Sequence, residues 1–138
     1  MTRVFLDSGI LLTGWKGKVV DRDKAIAIMA DANREFVSSQ MVRLELFPKS
    51  SYFKNQPEIA FYRNFFECLK GEELLSADLG NEAMDLGMQY GLAAADALNI
   101  AAAVRQEASE FITTEIPGKP MFRVKEILIV SLHAAVIS

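Results

Sequence analysis

The segment Val4-Phe5-Leu6-Asp7-Ser8-Gly9 decides the fold. Its first three residues form a short, continuous apolar run, which predicts a strand that is buried on both faces. Asp7-Ser8-Gly9 then predicts the end of that strand. Four further short runs predict additional strands; these are Phe36-Val37, Leu74-Leu75, Phe111-Ile112-Thr113-Thr114 and Ile127-Leu128-Ile129-Val130.

Helical patterns lie between these runs. Residues 10–13 predict a single helical turn before a loop that contains Gly14. Ser38 or Ser39 is expected to cap the helix that follows the second strand, and Pro48 is expected to kink or loosen it. Strands that alternate with helices predict an α/β fold, with a mainly parallel sheet covered by helices on both faces. With 138 residues, the chain is expected to form a single domain over residues 1–138.

Composition narrows the possible chemistry. Cys68 is the one cysteine and His133 the one histidine, which excludes an intramolecular disulfide and any zinc site built from several such ligands. Carboxylates, hydroxyls, lysines and arginines must therefore carry the chemistry. The net charge of −3 argues against a global basic surface for nucleic acid, although not against a local site.

The sequence also predicts a location. The first residues lack the continuous apolar stretch of a secretory signal, and no window resembles a membrane span of roughly 18 uncharged apolar residues. We therefore expect a cytoplasmic protein with no membrane partner.

Four carboxylates are candidates for a site. In an open α/β sheet, ligands bind outside the carboxyl ends of the strands. Asp7 follows the first strand and Glu115 follows the fourth, so both are expected at the same edge. Glu45 lies on the helix that leaves the second strand and can reach this edge. Asp96 lies in the first turn of an alanine-rich helix, and the strand rule alone does not place it.

Each of these residues also has an ordinary structural interpretation. Asp7 can simply cap the following helix, and Glu45 can be a solvated helix residue, as most glutamates are. Asp96 lies among alanines and leucines and needs a partner, which can be a cap, an arginine or a metal. Glu115 can merely end a strand.

Taken together, the four acidic segments resemble a known family. They are Val4-Phe5-Leu6-Asp7-Ser8, Val42-Arg43-Leu44-Glu45-Leu46, Ala95-Asp96-Ala97-Leu98-Asn99-Ile100-Ala101-Ala102-Ala103 and Phe111-Ile112-Thr113-Thr114-Glu115. In this order and spacing the chain resembles the PIN-domain family of metal-dependent ribonucleases, especially the toxins of bacterial VapBC toxin–antitoxin modules. The resemblance covers nearly the whole chain and implies a PIN-like three-layer α/β/α sandwich.

The resemblance also implies a mechanism. Mg²⁺ or Mn²⁺ would be held mainly by Asp7 and Asp96, with Glu45 as a direct or water-mediated ligand and Glu115 last. The metal would activate water for hydrolysis of single-stranded RNA. Ser8 and Thr113 or Thr114 would orient water or phosphate. One residue departs from the family, because Glu115 stands where an aspartate is usual.

That departure, together with the lack of a basic surface, leaves one alternative open, a PIN-like binding or assembly module with weak or no catalysis. A different α/β enzyme such as a small phosphatase is a separate alternative. The expected partners are RNA, an antitoxin that places an arginine in the acidic pocket, and a second copy of the chain. The aromatic helix after Pro57 is the candidate homodimer surface, although its ordinary role is core packing. The basic residues expected to guide RNA are Lys16, Lys18, Arg43, Lys49, Lys54 and Arg63.

Overall fold

The computed structural model describes residues 1–133, which form five strands and six α-helices. The predicted single domain extends to residue 138, so its last five residues lie outside the described residues. The strands are β1 (Thr2–Leu6), β2 (Arg34–Ser39), β3 (Gly71–Glu73), β4 (Glu110–Thr113) and β5 (Leu128–Ser131). The helices are α1 (Ser8–Lys16), α2 (Val19–Met29), α3 (Gln40–Tyr52), α4 (Gln56–Glu67), α5 (Ala77–Tyr90) and α6 (Ala94–Arg105).

The strands form one sheet in the order β3-β2-β1-β4-β5. Every neighbouring pair is parallel, so the α/β prediction is confirmed and the described sheet is entirely rather than mainly parallel. The strand order reverses direction between β1 and β4. This is the switch point at which open α/β sheets bind ligands, at the carboxyl ends of the strands.

The core is built on β1, as its apolar run predicts. Val4, Phe5 and Leu6 are fully buried. The ring of Phe5 stacks on that of Phe111 in β4, with their centroids 5.2 Å apart. The helices flank this sheet; α1 contacts α2, α3 and α4, whereas α5 packs against α6.

One expectation about the helices needs correction. Helix α1 runs through Gly14 to Lys16, because Gly14 is buried and packs close to Phe61 and Met29 rather than forming a loop. Helix α3 continues past Pro48 to Tyr52. Its cap is Ser39, whose hydroxyl accepts a hydrogen bond from the backbone N–H of Val42 at 3.2 Å.

The third strand was predicted at the wrong place. Leu74 and Leu75 lie outside the sheet and are exposed, and β3 consists of Gly71–Glu73. This short edge strand is polar because its glutamates pair with arginines: Glu72 with Arg43, and Glu73 with Arg105.

The aromatic helix α4 belongs to the core. Ile59, Tyr62, Phe65 and Phe66 are all buried within the single chain. These side chains therefore do not form the free surface on which the homodimer prediction relied.

No helix within residues 1–133 combines the length and apolar character needed to span a membrane.

Candidate metal centre

Asp7 sits at the switch point of the sheet. It directly follows β1 and caps α1, and its Oδ1 accepts a hydrogen bond from the backbone N–H of Ser8 at 2.9 Å. Its Oδ2 accepts a hydrogen bond from the hydroxyl of Thr113 at 3.0 Å. Thr113 is the last residue of β4 and is fully buried. Two neighbouring strands therefore hold one carboxylate at their shared carboxyl edge.

A close approach between elements makes this arrangement possible. A β-carbon on Gly9 would collide with the hydroxyl of Thr114. Glycine at this position therefore lets the first turn of α1 lie against the end of β4.

The electrostatics of Asp7 are unfavourable for a lone carboxylate. Its pKa is raised from 3.8 to about 6, mainly by burial and also by the negative charges of Glu45 and Asp96, against the lowering effect of its hydrogen bonds. A negative charge at Asp7 is therefore costly in the metal-free protein. A cation between these carboxylates would offset that cost.

Glu45 is oriented by a chain of hydrogen bonds. The side-chain N–H of Asn99 donates to Glu45 Oε1 at 3.0 Å, and the hydroxyl of Ser39 donates to Asn99 Oδ1 at 2.7 Å. Burial raises the pKa of Glu45, and the charge of Asp96 adds to this effect. Hydrogen bonds thus connect Ser39, which caps α3, to Asn99 of α6 and through it to Glu45 of α3.

Asp96 is the third residue of α6. Burial raises its pKa, and the charge of Glu115 raises it further. Asp96 and Glu115 line the same cleft of about 230 Å³, together with Lys119 from the loop after β4. The structure therefore places Asp96 beside the sheet edge, where the strand rule had left it unplaced.

Glu115 is the most exposed of the four carboxylates. Its backbone N–H donates to the Thr113 hydroxyl at 3.2 Å, and its carbonyl accepts from the Ser131 hydroxyl at 2.7 Å. These two bonds anchor the main chain, and the Glu115 carboxylate lies close enough to Asp96 to raise its pKa. Thr113 thus contacts both Asp7 and the residue that departs from the family pattern.

The four predicted residues interact electrostatically around one edge. However, the described residues contain no group of three or more histidine, cysteine, aspartate or glutamate side chains close enough to hold a metal ion as they stand. The all-oxygen donor set fits Mg²⁺ or Mn²⁺, because Mg²⁺ commonly binds one or two carboxylates and keeps several waters. Water would therefore complete the coordination.

Asn99 is a site residue that the sequence analysis did not single out. It is 1% exposed although it lies within an alanine-rich helix. A polar side chain on the buried face of such a helix, one turn after Asp96, was the available signal. Its partners on β2 and α3 were not predictable from spacing.

No family model and no curated protein matches the chain. Solved structures do match its fold. One is a chain of VapBC2 from Rickettsia felis bound to a DNA fragment from their promoter, with a TM-score of 0.69 and 18% identity, covering 94% of this chain and 98% of that chain. This chain has a PIN-like fold.

Two further structures share this PIN-like fold. A toxin–antitoxin complex from Klebsiella pneumoniae matches with a TM-score of 0.66 and 15% identity, covering 94% of this chain and 98% of that chain. VapC20 of Mycobacterium tuberculosis, a sarcin-ricin loop cleaving toxin, matches with a TM-score of 0.66 and 13% identity. The match covers 90% of this chain and 98% of that chain. At these identities the comparisons establish the fold alone.

Proposed function

We propose that this chain is a metal-dependent ribonuclease that hydrolyses RNA phosphodiester bonds, as the toxin of a type II toxin–antitoxin module. The observation that carries the proposal is the position of Asp7 at the switch point, held by Ser8 and Thr113 beside two further carboxylates, with its pKa raised to about 6. The shared fold supports it, because a chain with this fold is described as a sarcin-ricin loop cleaving toxin.

In this proposal Asp7 and Asp96 are the principal ligands of Mg²⁺ or Mn²⁺. Glu45 binds directly or through water, and Glu115 contributes least because its side chain is exposed. When bound, the metal supplies an activated water and offsets charge on the scissile phosphate.

The chain's own residues prepare this site. Thr113 holds the Asp7 carboxylate and Asn99 holds that of Glu45, so neither needs to reorient when RNA arrives. Lys119 lines the cleft that contains Asp96 and Glu115, and a lysine there is suited to contact a phosphate. Arg43, by contrast, is paired with Glu72 and stacked on Phe66, so it has a structural role.

Cleavage of labelled RNA tests the proposal. Purified protein should cleave RNA with Mg²⁺ or Mn²⁺ and stop when EDTA is added. Asp96→Asn should abolish cleavage, whereas Asp85→Asn, on the exposed side of α5, should cleave as the wild type does. Equal activity of Asp96→Asn and wild type would remove Asp96 from the site.

The proposed partners are an antitoxin and a second copy of the chain. A chain with this fold comes from a toxin–antitoxin complex. An arginine of the antitoxin would pair with the clustered carboxylates and silence them. If the product of a neighbouring reading frame is this antitoxin, adding it should stop cleavage. Light scattering after size exclusion tests the homodimer.

A second candidate function is a binding or assembly module without catalysis. The exposed Glu115 side chain and the spread of the carboxylates favour it. Calorimetry separates the two functions. Failure to bind Mn²⁺ at millimolar concentration would favour the module, and binding would favour the enzyme.

A further inference from the structure

A second cleft adjoins the candidate metal centre. It has a volume of about 390 Å³ and lies between α1, α3 and the α3–α4 loop. Glu45 lines this cleft and is also one of the four carboxylates of the candidate metal centre. A molecule in the cleft would therefore lie directly beside the carboxylates.

Two lysines give the cleft a positive side. Lys16 at the end of α1 and Lys49 on α3 both line it and are exposed. Neither forms an ion pair in the part of the chain that the structure describes. Free ammonium groups beside a metal centre are suited to the phosphates that flank a scissile bond.

An exposed aromatic ring lies at the rim. Phe53 follows α3 and is 66% exposed, and its ring meets that of Tyr52 edge-on with centroids 5.1 Å apart. The next residue, Lys54, has a φ of 54°, and this turn brings Phe53 and Asn55 to the same cleft. Exposed rings of this kind bind single-stranded nucleic acid by stacking on its bases.

The carboxylate of Glu58 lines the cleft and is fixed by two hydrogen bonds. Asn55 donates a hydrogen bond to Glu58 Oε1 at 3.1 Å, and the buried hydroxyl of Tyr62 donates to Glu58 Oε2. Burial and the neighbouring Glu58 raise the pKa of Tyr62, so its hydroxyl stays a donor. Each Glu58 oxygen keeps a lone pair that can accept from a ligand.

We propose that this cleft binds one unpaired nucleotide of the RNA, stacked on Phe53 and read by Glu58, with Lys16 and Lys49 on its phosphates. The proposal rests on the ribonuclease function proposed above and adds its specificity. An ionised carboxylate only accepts hydrogen bonds, so it distinguishes bases by the N–H donors that they present. Guanine is therefore the preferred base, because its Watson–Crick edge offers two adjacent N–H donors where uracil offers one.

Fluorescence anisotropy with labelled hexauridine, and with hexamers in which one uridine is replaced by guanosine, tests this subsite. Binding is measured in Ca²⁺, a hard cation that carboxylates accept. Wild-type protein should bind a guanosine hexamer more tightly than hexauridine. Phe53→Leu should weaken binding by about 5- to 100-fold, and Phe53→Trp should restore it, since stacking needs an aromatic ring.

Two further variants test the polar contacts. Glu58→Gln should remove the preference for guanosine. Lys49→Ala should lower the slope of log K against log salt by about 0.7. Lys70→Ala is the matched control, because Lys70 is exposed at the amino end of β3, away from the site edge, and should leave both quantities unchanged.

The outcomes separate this proposal from the one on which it rests. If Phe53→Leu and Glu58→Gln bind and cleave as wild type does while Asp96→Asn is inactive, the subsite is overturned and the ribonuclease stands. If guanosine binding depends on Phe53 and Glu58 but no RNA is cleaved with Mg²⁺ or Mn²⁺, the subsite stands and the ribonuclease fails.

Discussion

The hydroxyl of Thr113 donates a hydrogen bond to Asp7 at 3.0 Å, across the boundary between β4 and β1. The same hydroxyl accepts a hydrogen bond from the backbone N–H of Glu115 at 3.2 Å. One buried side chain thus ties the central carboxylate to the loop that carries the fourth. The parallel pairing of Leu6 with Ile112 sets this relationship, since it places the next residue of each strand side by side.

Thr113→Val should destabilise the protein by about 1–3 kcal/mol, because valine keeps the shape but leaves two partly buried polar groups, the Asp7 carboxylate and the Glu115 N–H, without this partner. Urea denaturation measures the change. Thr114→Val is the control, since that hydroxyl makes no hydrogen bond within residues 1–133, and its effect should stay within about 0.5 kcal/mol. Equal effects of the two substitutions would contradict the role given to Thr113.

The metal-free protein should lose stability as pH rises from about 4 to about 6. The pKa of Asp7 is 3.8 unfolded and about 6 folded, so over this window the folded state holds a proton that the unfolded state has released. The difference corresponds to at most about 3 kcal/mol. Glu45 and Asp96 act in the same direction, because their pKa values are also raised.

Denaturation in EDTA across this pH range measures the effect. Asp7→Asn should flatten the pH dependence and stabilise the protein at pH 7, because the amide carries no charge to bury. A wild-type profile that is flat, or that rises between pH 4 and 6, would contradict the placement of Asp7.

Mn²⁺ should raise the melting temperature at pH 7.5 and have a smaller effect at pH 5. A ligand that binds only the folded state stabilises it, and at low pH the metal must first displace the proton on Asp7. Scanning calorimetry with and without Mn²⁺ gives the shift. Asp7→Asn should show a much smaller shift, and Asp85→Asn should match wild type.

Asn99→Ala should weaken both stability and cleavage. It removes the donor to Glu45 and the acceptor for the buried Ser39 hydroxyl, at a cost of about 1–3 kcal/mol. Asn81→Ala, at an exposed position of α5, is the control and should be neutral. If Asn99→Ala cleaves RNA at the wild-type rate, Asn99 does not position a functional Glu45.

Much of the fold was predictable from local pattern. The runs at Val4-Phe5-Leu6 and Phe111-Ile112-Thr113 are strands because strands covered on both faces must be continuously apolar. The edge strand β3 was not predictable, since its glutamates stay in the sheet through ion pairs with arginines far along the chain. Helix α1 was predicted too short because the packing that accommodates Gly14 is tertiary.

The sequence likewise predicted some of the site residues and not others. The strand rule placed Asp7 and Glu115 at one edge, and the parallel pairing of β1 and β4 confirms that placement. Asp96 needed the family resemblance, because its helix follows another helix. Asn99 is hydrogen-bonded to Glu45 on another helix, and Glu58 to Tyr62 one turn further along α4. The hydrophobic periodicity of the sequence does not reveal such pairs. Their roles, like those of the four carboxylates, stay predictions for experiment.

In the proposed function, Asp7 holds the metal that allows this chain to cleave RNA. The most direct test of this claim is the rate of RNA cleavage as a function of Mn²⁺ concentration, for wild type and Asp7→Asn at pH 7.5. We expect a rate that saturates with Mn²⁺ for wild type and no cleavage by a folded Asp7→Asn. Cleavage that is independent of Mn²⁺ and unaffected by EDTA, or equal rates for the two proteins, would contradict the claim.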